Sequence, residues 1–402
     1  MKYVDEFRDG DKARVLAARI AAEVQPGRRY AFMEFCGGHT HAIARYGIAD
    51  WLPSAIRMIH GPGCPVCVLP IGRIDQAIHL ALDRGAIVCT YGDTMRVPAS
   101  PATARLQGTP DTHAAPADAP RAVPANRVGA ESLSLMKAKA RGADIRMVYS
   151  AADALKVARE NPGREVVFFA IGFETTTPPT AVAIREAAAL GLGNFSVLCC
   201  HVLTPPAMTA ILEAPASAGG VPLDGFVGPA HVSTIIGSAP YAFCAERYGK
   251  PVVIAGFEPL DVMQAILMLI RQTNEGRAEV ENEFVRAVSH EGNRKAQALV
   301  AEVFTRRPDF EWRGLGTIPD SALSLAPAYR AFDAEARFPV AYRSVADHKA
   351  CECGAILRGV KRPQECRIFG TACTPENPVG SCMVSSEGAC AAHYTYGRYK
   401  DA

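Results

Sequence analysis

Three groups of thiols carry the residue types and spacings that can do chemistry. The first is Cys36-Gly37-Gly38-His39-Thr40-His41, where paired glycines let backbone pass close to a ligand and can open a helix. A helix N-terminus there would lower the pKa of Cys36 and leave a thiolate suited to a soft metal. The competing assignment makes Cys36 a core cysteine and the two histidines capping or hydrogen-bonding residues. The second group, Gly61-Pro62-Gly63-Cys64-Pro65-Val66-Cys67, brings two thiols within reach of a disulfide or a shared metal. Half of a structural zinc site is the alternative, and it would need a second ligand pair from a distant part of the chain.

The third group is the tail. The last fifty or so residues hold six of the thirteen cysteines, Cys351, Cys353, Cys366, Cys373, Cys382 and Cys390, in a segment dense with Gly and Pro. In a reducing compartment such thiols are metal or cluster ligands rather than disulfide staples. Zinc favours close CxxC pairs, whereas CxC-x12-C-x6-C-x8-C-x7-C supplies four ligands and two thiols to spare. That suits a cubane iron-sulfur cluster beside a dithiol, with zinc still open.

The opening MKYVDEFRDGDKAR is charged throughout and lacks the apolar stretch of a secretory peptide, so the expected location is the cytoplasm. No run approaches the eighteen or so apolar residues of a membrane span; VVFFAIGF and AILMLI suit a buried strand and a buried helical face. A formal net charge of +2, from 43 basic and 41 acidic residues, gives no field to draw nucleic acid or an anionic membrane. At 402 residues and 49% hydrophobic composition the chain can bury two or three cores.

What must position the thiols is a series of βα units. Between residues 30 and 273, short apolar runs alternate with stretches of helical period: YAFMEF, AIRMIH, AIVCTY, IRMVYS, EVVFFAI, FSVLCC, DGFVG and PVVIAGF. Most of these runs end in a polar, Gly- or Pro-rich motif, among them CGGHTH, GPGCPVC, GDT, GFETTTPP, PAHVS and FEPLD. Ligands of open α/β sheets sit beyond the carboxyl ends of strands, so this clustering is itself a functional signal. A closed barrel would put the same loops at one face. Residues 99–128, rich in Ala and Pro, lack the apolar side chains to repay ordering and are expected to form a flexible insertion. Residues 274–303 are expected to form one or two amphipathic helices, and the tail irregular loops with short helices.

The chain has no GxxxxGK[ST], strand-associated GxGxxG, GxSxG or CxxxCxxC, which leaves the chemistry to thiols, histidines and a few carboxylates. Glu174 of GFETT is either a carboxylate near the same crevice or a capping partner for Thr175 and Thr176. Cys89, Cys199, Cys200 and Cys244 lie in or beside apolar runs and read as packing residues.

CGGHTH, GPGCPVC, YGDTMRVP, GADIRMVYSAADALKVARENP, VVFFAIGFETT and FGTACTPENPVGSCMVSSEGACAA together resemble the HypD family of hydrogenase maturation proteins, nearly end to end. The resemblance implies two Rossmann-like parallel-sheet α/β domains and a Cys-rich iron-sulfur domain. The expected division is 1–128 with CGGHTH and GPGCPVC, 129–273 with GFETT, and 274–402, helical and carrying a 4Fe-4S cluster. It also implies a redox-active scaffold that, with the small chaperone HypC and the cyanide-supplying HypE, assembles the Fe(CN)2CO unit of nickel-iron hydrogenase, indirectly serving the hydrogenase large subunit. Carried over by position, Cys36 holds the iron, and Cys64 and Cys67 form a thiol-disulfide element; His41, within the same loop as Cys36, is expected to hydrogen-bond or ligate that metal or to steer a proton. Cys351, Cys366, Cys373 and Cys390 hold the cluster, with Cys353 and Cys382 as a neighbouring redox pair. Gly228 and Ala230 stand where the family pattern leads one to expect a Cys and a Gly, although His231 is present. A free-standing cluster-dependent thiol-disulfide reductase and a zinc-stabilised binding module are the competing functions.

Overall fold

The apolar runs become strands β1 (Tyr30–Glu34), β2 (Ile56–His60), β3 (Ile87–Thr90), β4 (Ile145–Met147), β5 (Val166–Gly172), β6 (Phe195–His201), β7 (Gly225–Gly228) and β8 (Val252–Ile254). β9 (Val280–Asn282), β10 (Phe304–Trp312) and β11 (Gly316–Leu325) follow. The computed structural model describes residues 5–101, 133–215 and 220–397, so the Ala/Pro-rich segment lies, from 102 onward, outside the described residues. Among the described residues no helix is long and apolar enough to cross a membrane.

Two open, all-parallel sheets form rather than a barrel. Their strand orders are β2-β1-β7-β8-β9 and β4-β3-β5-β6. The sheets do not follow a linear division at 128 and 273. The chain leaves the first sheet after β2, lays down the whole of the second, and returns at β7 to pair with β1. Each βα unit has the same local pattern, so periodicity could not say which sheet a strand would join.

β5 shows why the second sheet is double-sided. All seven of its residues are buried, and successive side chains point to opposite faces. Phe168 and Phe169 accordingly enter different cores, one under the helices Ala151–Glu160 and Thr177–Ala189, the other facing the first sheet and the tail. Burial of one such ring contributes about 1.5–3 kcal/mol.

β6 is a terminal strand that is nevertheless buried throughout, and the hairpin β10–β11 explains it. Leu203 N–H donates to Ser321 O at 2.8 Å, Val202 bridges Ala322, and Asp333 bridges Val197, so the edge is covered. This hairpin was not expected of residues 274–402. The stretch 274–303 also departs from the expected pair of helices: β9 extends the first sheet, and past the end of the helix Pro259–Glu275 only Arg294–Val303 is helical. The remainder has the short helices expected, Cys353–Leu357 and Ala389–Gly397, and the latter packs against Gly37–Arg45.

Candidate functional site

In a doubly wound sheet the ligand crevice opens where strand order reverses, because the loops after two neighbouring strands leave in opposite directions. In the first sheet that point lies between β1 and β7, whose following loops carry Cys36 and His231. In the second it lies between β3 and β5, followed by GDT and GFETT. The two switch points face one cleft of about 470 Å3. Cys36, Gly63, Pro65, Val66 and His231 line one wall; Asp93, Thr94, Ser150, Thr175 and Thr176 line the other; Glu387 enters from the tail.

Cys36 caps the helix Gly37–Arg45 and is 6% exposed. The backbone N–H groups of Gly38 and His231 favour the anionic form of its sulfur, one from each side of the first sheet's switch point. Its own N–H donates to Glu34 Oε2 at 3.0 Å, and Glu34 also binds Thr40 Oγ1 and, at 3.0 Å, His60 Nδ1. The expectation of a standing thiolate is not met. Burial, and next the Glu387 carboxylate, push the Cys36 thiol up to about 12. A helix N-terminus contributes about 0.3–1 kcal/mol, too little against desolvation shifts of up to about 3–5 units. A metal ion would have to displace the proton, as thiol ligation generally does.

The CxxC loop is pressed onto this residue. A Cβ on Gly63 would lie 2.4 Å from Cys36 N, and Gly37 N–H donates to Gly63 O at 3.2 Å. Cys64 and Cys67 are joined by a disulfide, with Cα atoms 5.2 Å apart. On its far side the loop meets the tail, where Ser381 Oγ donates to Cys67 O at 2.7 Å.

The tail sulfurs are gathered. The thiol of Cys353 interacts with those of Cys351, Cys382 and Cys390. A Cβ on Gly380 would lie 2.4 Å from Cys351 Sγ and 2.5 Å from Cys353 Sγ. Cys373 accepts Val379 N–H at 3.4 Å and lies within the electrostatic reach of Cys351 and Cys366. Among the described residues no three His, Cys, Asp or Glu side chains are arranged to hold a single metal ion. A four-iron cluster asks for something else, one thiolate per iron, and this largely buried all-sulfur donor set fits it.

The two histidines of the CGGHTH motif are placed elsewhere. His41 points to the tail, with Nδ1 3.4 Å from Ser386 O, Nε2 3.4 Å from Tyr396 Oη, and its ring edge-on to Tyr396. His39 is buried, reaches Ala255 O and Gly256 O at 3.0 Å, and stacks on Phe257, whose ring also meets His231. Burial holds it down at about 4, so it is a neutral donor fastening the helix to β8.

Glu174 also turns away from the cleft that its neighbours Phe173 and Thr175 line. Its carboxylate accepts Thr204 N–H at 2.7 Å and Thr204 Oγ1–H at 2.9 Å, tying the β5 loop to the helix Thr204–Glu213. Burial pushes it up to about 7. Because the folded pKa exceeds the unfolded one, stability is greatest at low pH and falls as pH rises from the unfolded carboxylate range through about 7. Glu174→Gln keeps an acceptor for the N–H and avoids the buried charge. Denaturant melts should show the variant gaining on wild type by on the order of 1–3 kcal/mol between pH 5 and pH 8; equal stabilities at both pH values would remove this role.

Glu34 and Glu387 were missed by sequence reasoning. A carboxylate ending the otherwise apolar YAFME run, two residues before Cys36, was the available signal for the first. Nothing local marks Glu387, which reaches the cleft only through tertiary packing; burial, and next Asp93 and Glu34, raise it to about 7. Cys89, Cys199, Cys200 and Cys244 are buried packing residues.

The family model HypD, described as the hydrogenase formation hypA family, matches residues 11–114 and 123–397, breaking within the Ala/Pro-rich segment. The hydrogenase maturation factor HypD of Cupriavidus necator is 66% identical over 403 residues, covering 100% of this chain and 98% of that protein. The hydrogenase expression/formation protein HupD of Azotobacter chroococcum is 62% identical with the same coverage. The hydrogenase maturation factor HypD of Escherichia coli is 43% identical over 401 residues, with 98% of each chain covered.

Proposed function

The chain belongs to the HypD family of hydrogenase formation proteins, and from that premise we propose that this maturation factor is a redox-active scaffold for the Fe(CN)2CO unit of nickel-iron hydrogenase. The observation that carries the reading is the position of Cys36. It stands where two switch points face each other, lining the cleft between them, with a CxxC loop pressed against its backbone.

Iron that takes up cyanide and carbonyl is the cargo, and a thiolate gives it an electron-rich anchor. Once the proton leaves Cys36, the N–H groups of Gly38 and His231 stabilise the sulfur's charge, and Glu34 fixes its backbone. Cys351, Cys366, Cys373 and Cys390 would hold a 4Fe-4S cluster, which when bound supplies single electrons. Cys353 and Cys382 lie against each other beside it, and Cys64 and Cys67 stand between that pair and Cys36. The proposed partners are a small chaperone of the HypC kind that shares the iron and a cyanide donor of the HypE kind, acting in the cytoplasm on behalf of the hydrogenase large subunit.

Infrared spectroscopy of the anaerobically purified complex with the small chaperone tests this. Bands of metal-bound cyanide and carbonyl are expected. Disulfide turnover by the chain alone, with no such bands in the complex, would instead establish the free-standing reductase.

A further inference from the structure

Thr94 lines the cleft on the wall that faces Cys36, at the start of the short turn Thr94–Arg96 that follows β3. Its backbone is held on both sides. The N–H donates to Asp93 Oδ1 at 2.8 Å, and the carbonyl accepts Val97 N–H at 3.2 Å. The hydroxyl is the exception: the residue is fully buried, yet Oγ1 has no hydrogen-bond partner among the described residues. Two neighbours on the same wall are already committed, Ser150 Oγ donating to Asp153 Oδ2 at 3.0 Å and Thr176 Oγ1 to Phe173 O at 3.0 Å. A buried donor without an acceptor carries its full desolvation cost, and at the edge of a ligand cleft that cost is removed when a ligand supplies the acceptor.

We propose that the Thr94 hydroxyl donates a hydrogen bond to a cyanide nitrogen of the iron cargo, a role that rests on the scaffold reading above. An iron anchored on Cys36 carries its diatomic ligands into the cleft that both residues line. Cyanide on iron keeps negative charge on its nitrogen and accepts a hydrogen bond well, whereas the oxygen of a bound carbonyl accepts poorly. The hydroxyl therefore favours cyanide. The acidic side chains of the cleft, Asp93 and Glu387, cannot take this part when ionised, because a carboxylate only accepts. Asp93 contributes differently, fixing through the Thr94 N–H the backbone from which the hydroxyl reaches out. Thr94 forms no bond to iron, and its effect is on the charge of one ligand and so on the electron density of the metal.

Two measurements on full-length Thr94→Val and Thr94→Ser test this. In the iron-loaded complex with the small chaperone, Thr94→Val should move one cyanide infrared band to lower frequency, with a smaller shift of the carbonyl band in the same direction, since a lost hydrogen bond returns electron density to the iron. Thr94→Ser keeps the hydroxyl and should leave both bands at their wild-type positions. In the metal-free chain without partner, Thr94→Val should be at least as resistant to denaturant as wild type, because it keeps the shape of the side chain and removes a donor that has no acceptor. Unshifted bands in Thr94→Val, or equal shifts in Thr94→Val and Thr94→Ser, overturn the proposal. So does a clear loss of stability in metal-free Thr94→Val, which would show the hydroxyl to be paired without cargo, by a trapped water for example. Failure of the scaffold reading looks different: the wild-type complex itself would then show no cyanide or carbonyl bands, and this role for Thr94 would fall with it.

Discussion

Cys36→Ala is expected to eliminate the cyanide and carbonyl infrared bands from the complex with the small chaperone while leaving the fold and the tail iron unchanged. The side chain is small, buried and uncharged in the metal-free protein, so its loss removes few contacts. The helix behind it keeps its fastenings: Cys36 N–H still meets Glu34, and His39 still reaches Ala255 O and Gly256 O. What disappears is the only sulfur on that wall that is neither disulfide-bonded nor in the tail, among the described residues. A metal shared by two chains makes complex stability depend on occupancy, so the complex should also loosen when iron is present, although surface contacts still permit docking. Bands at wild-type intensity in the variant would show that iron is held elsewhere, and the scaffold reading would lose its centre.

His41 was expected to act beside this iron, but the structure places it against Tyr396 and the tail. An i to i+5 separation in one helix, from Cys36 to His41, carries a side chain well past a full turn, so neighbours in sequence need not share a wall. The strands, by contrast, were legible: all eight apolar runs became β1 to β8 within a residue or a few at their ends. Strand formation depends on local pattern, and burial of both faces in parallel sheet makes that pattern strong. Sheet membership was not legible, because pairing β1 with β7 depends on packing between residues nearly two hundred positions apart. The same limit hid Glu387, which meets Gly37 across the molecule. The cleft chemistry was readable as cysteine and glycine motifs. That three separate motifs form one continuous path, Cys36 to Gly63, Cys67 to Ser381, Cys382 to Cys353, required the fold.

Tail substitutions should divide the cysteines into two classes. Anaerobic protein is expected to contain about four irons per chain and to absorb as a cubane cluster. Cys366→Ala or Cys390→Ala should abolish the absorbance, since each thiolate would anchor one iron and a three-ligand cluster of this type is readily lost. Cys353→Ala should retain most of it, because the proposed function pairs Cys353 with Cys382 as a dithiol rather than with the cluster. The structure makes this a demanding comparison, for Cys353 is the sulfur in contact with Cys351, Cys382 and Cys390 and would be the natural choice as a ligand on proximity alone. Contact between bare thiols and ligation of separate irons call for different spacings, so the crowded Cys353 suits a disulfide partner, and Cys366 and Cys373, at the edge of the group, suit ligands. Metal analysis after each substitution decides it: equal iron loss in all three variants removes the ligand assignment, and stoichiometric zinc in the wild-type protein removes the cluster.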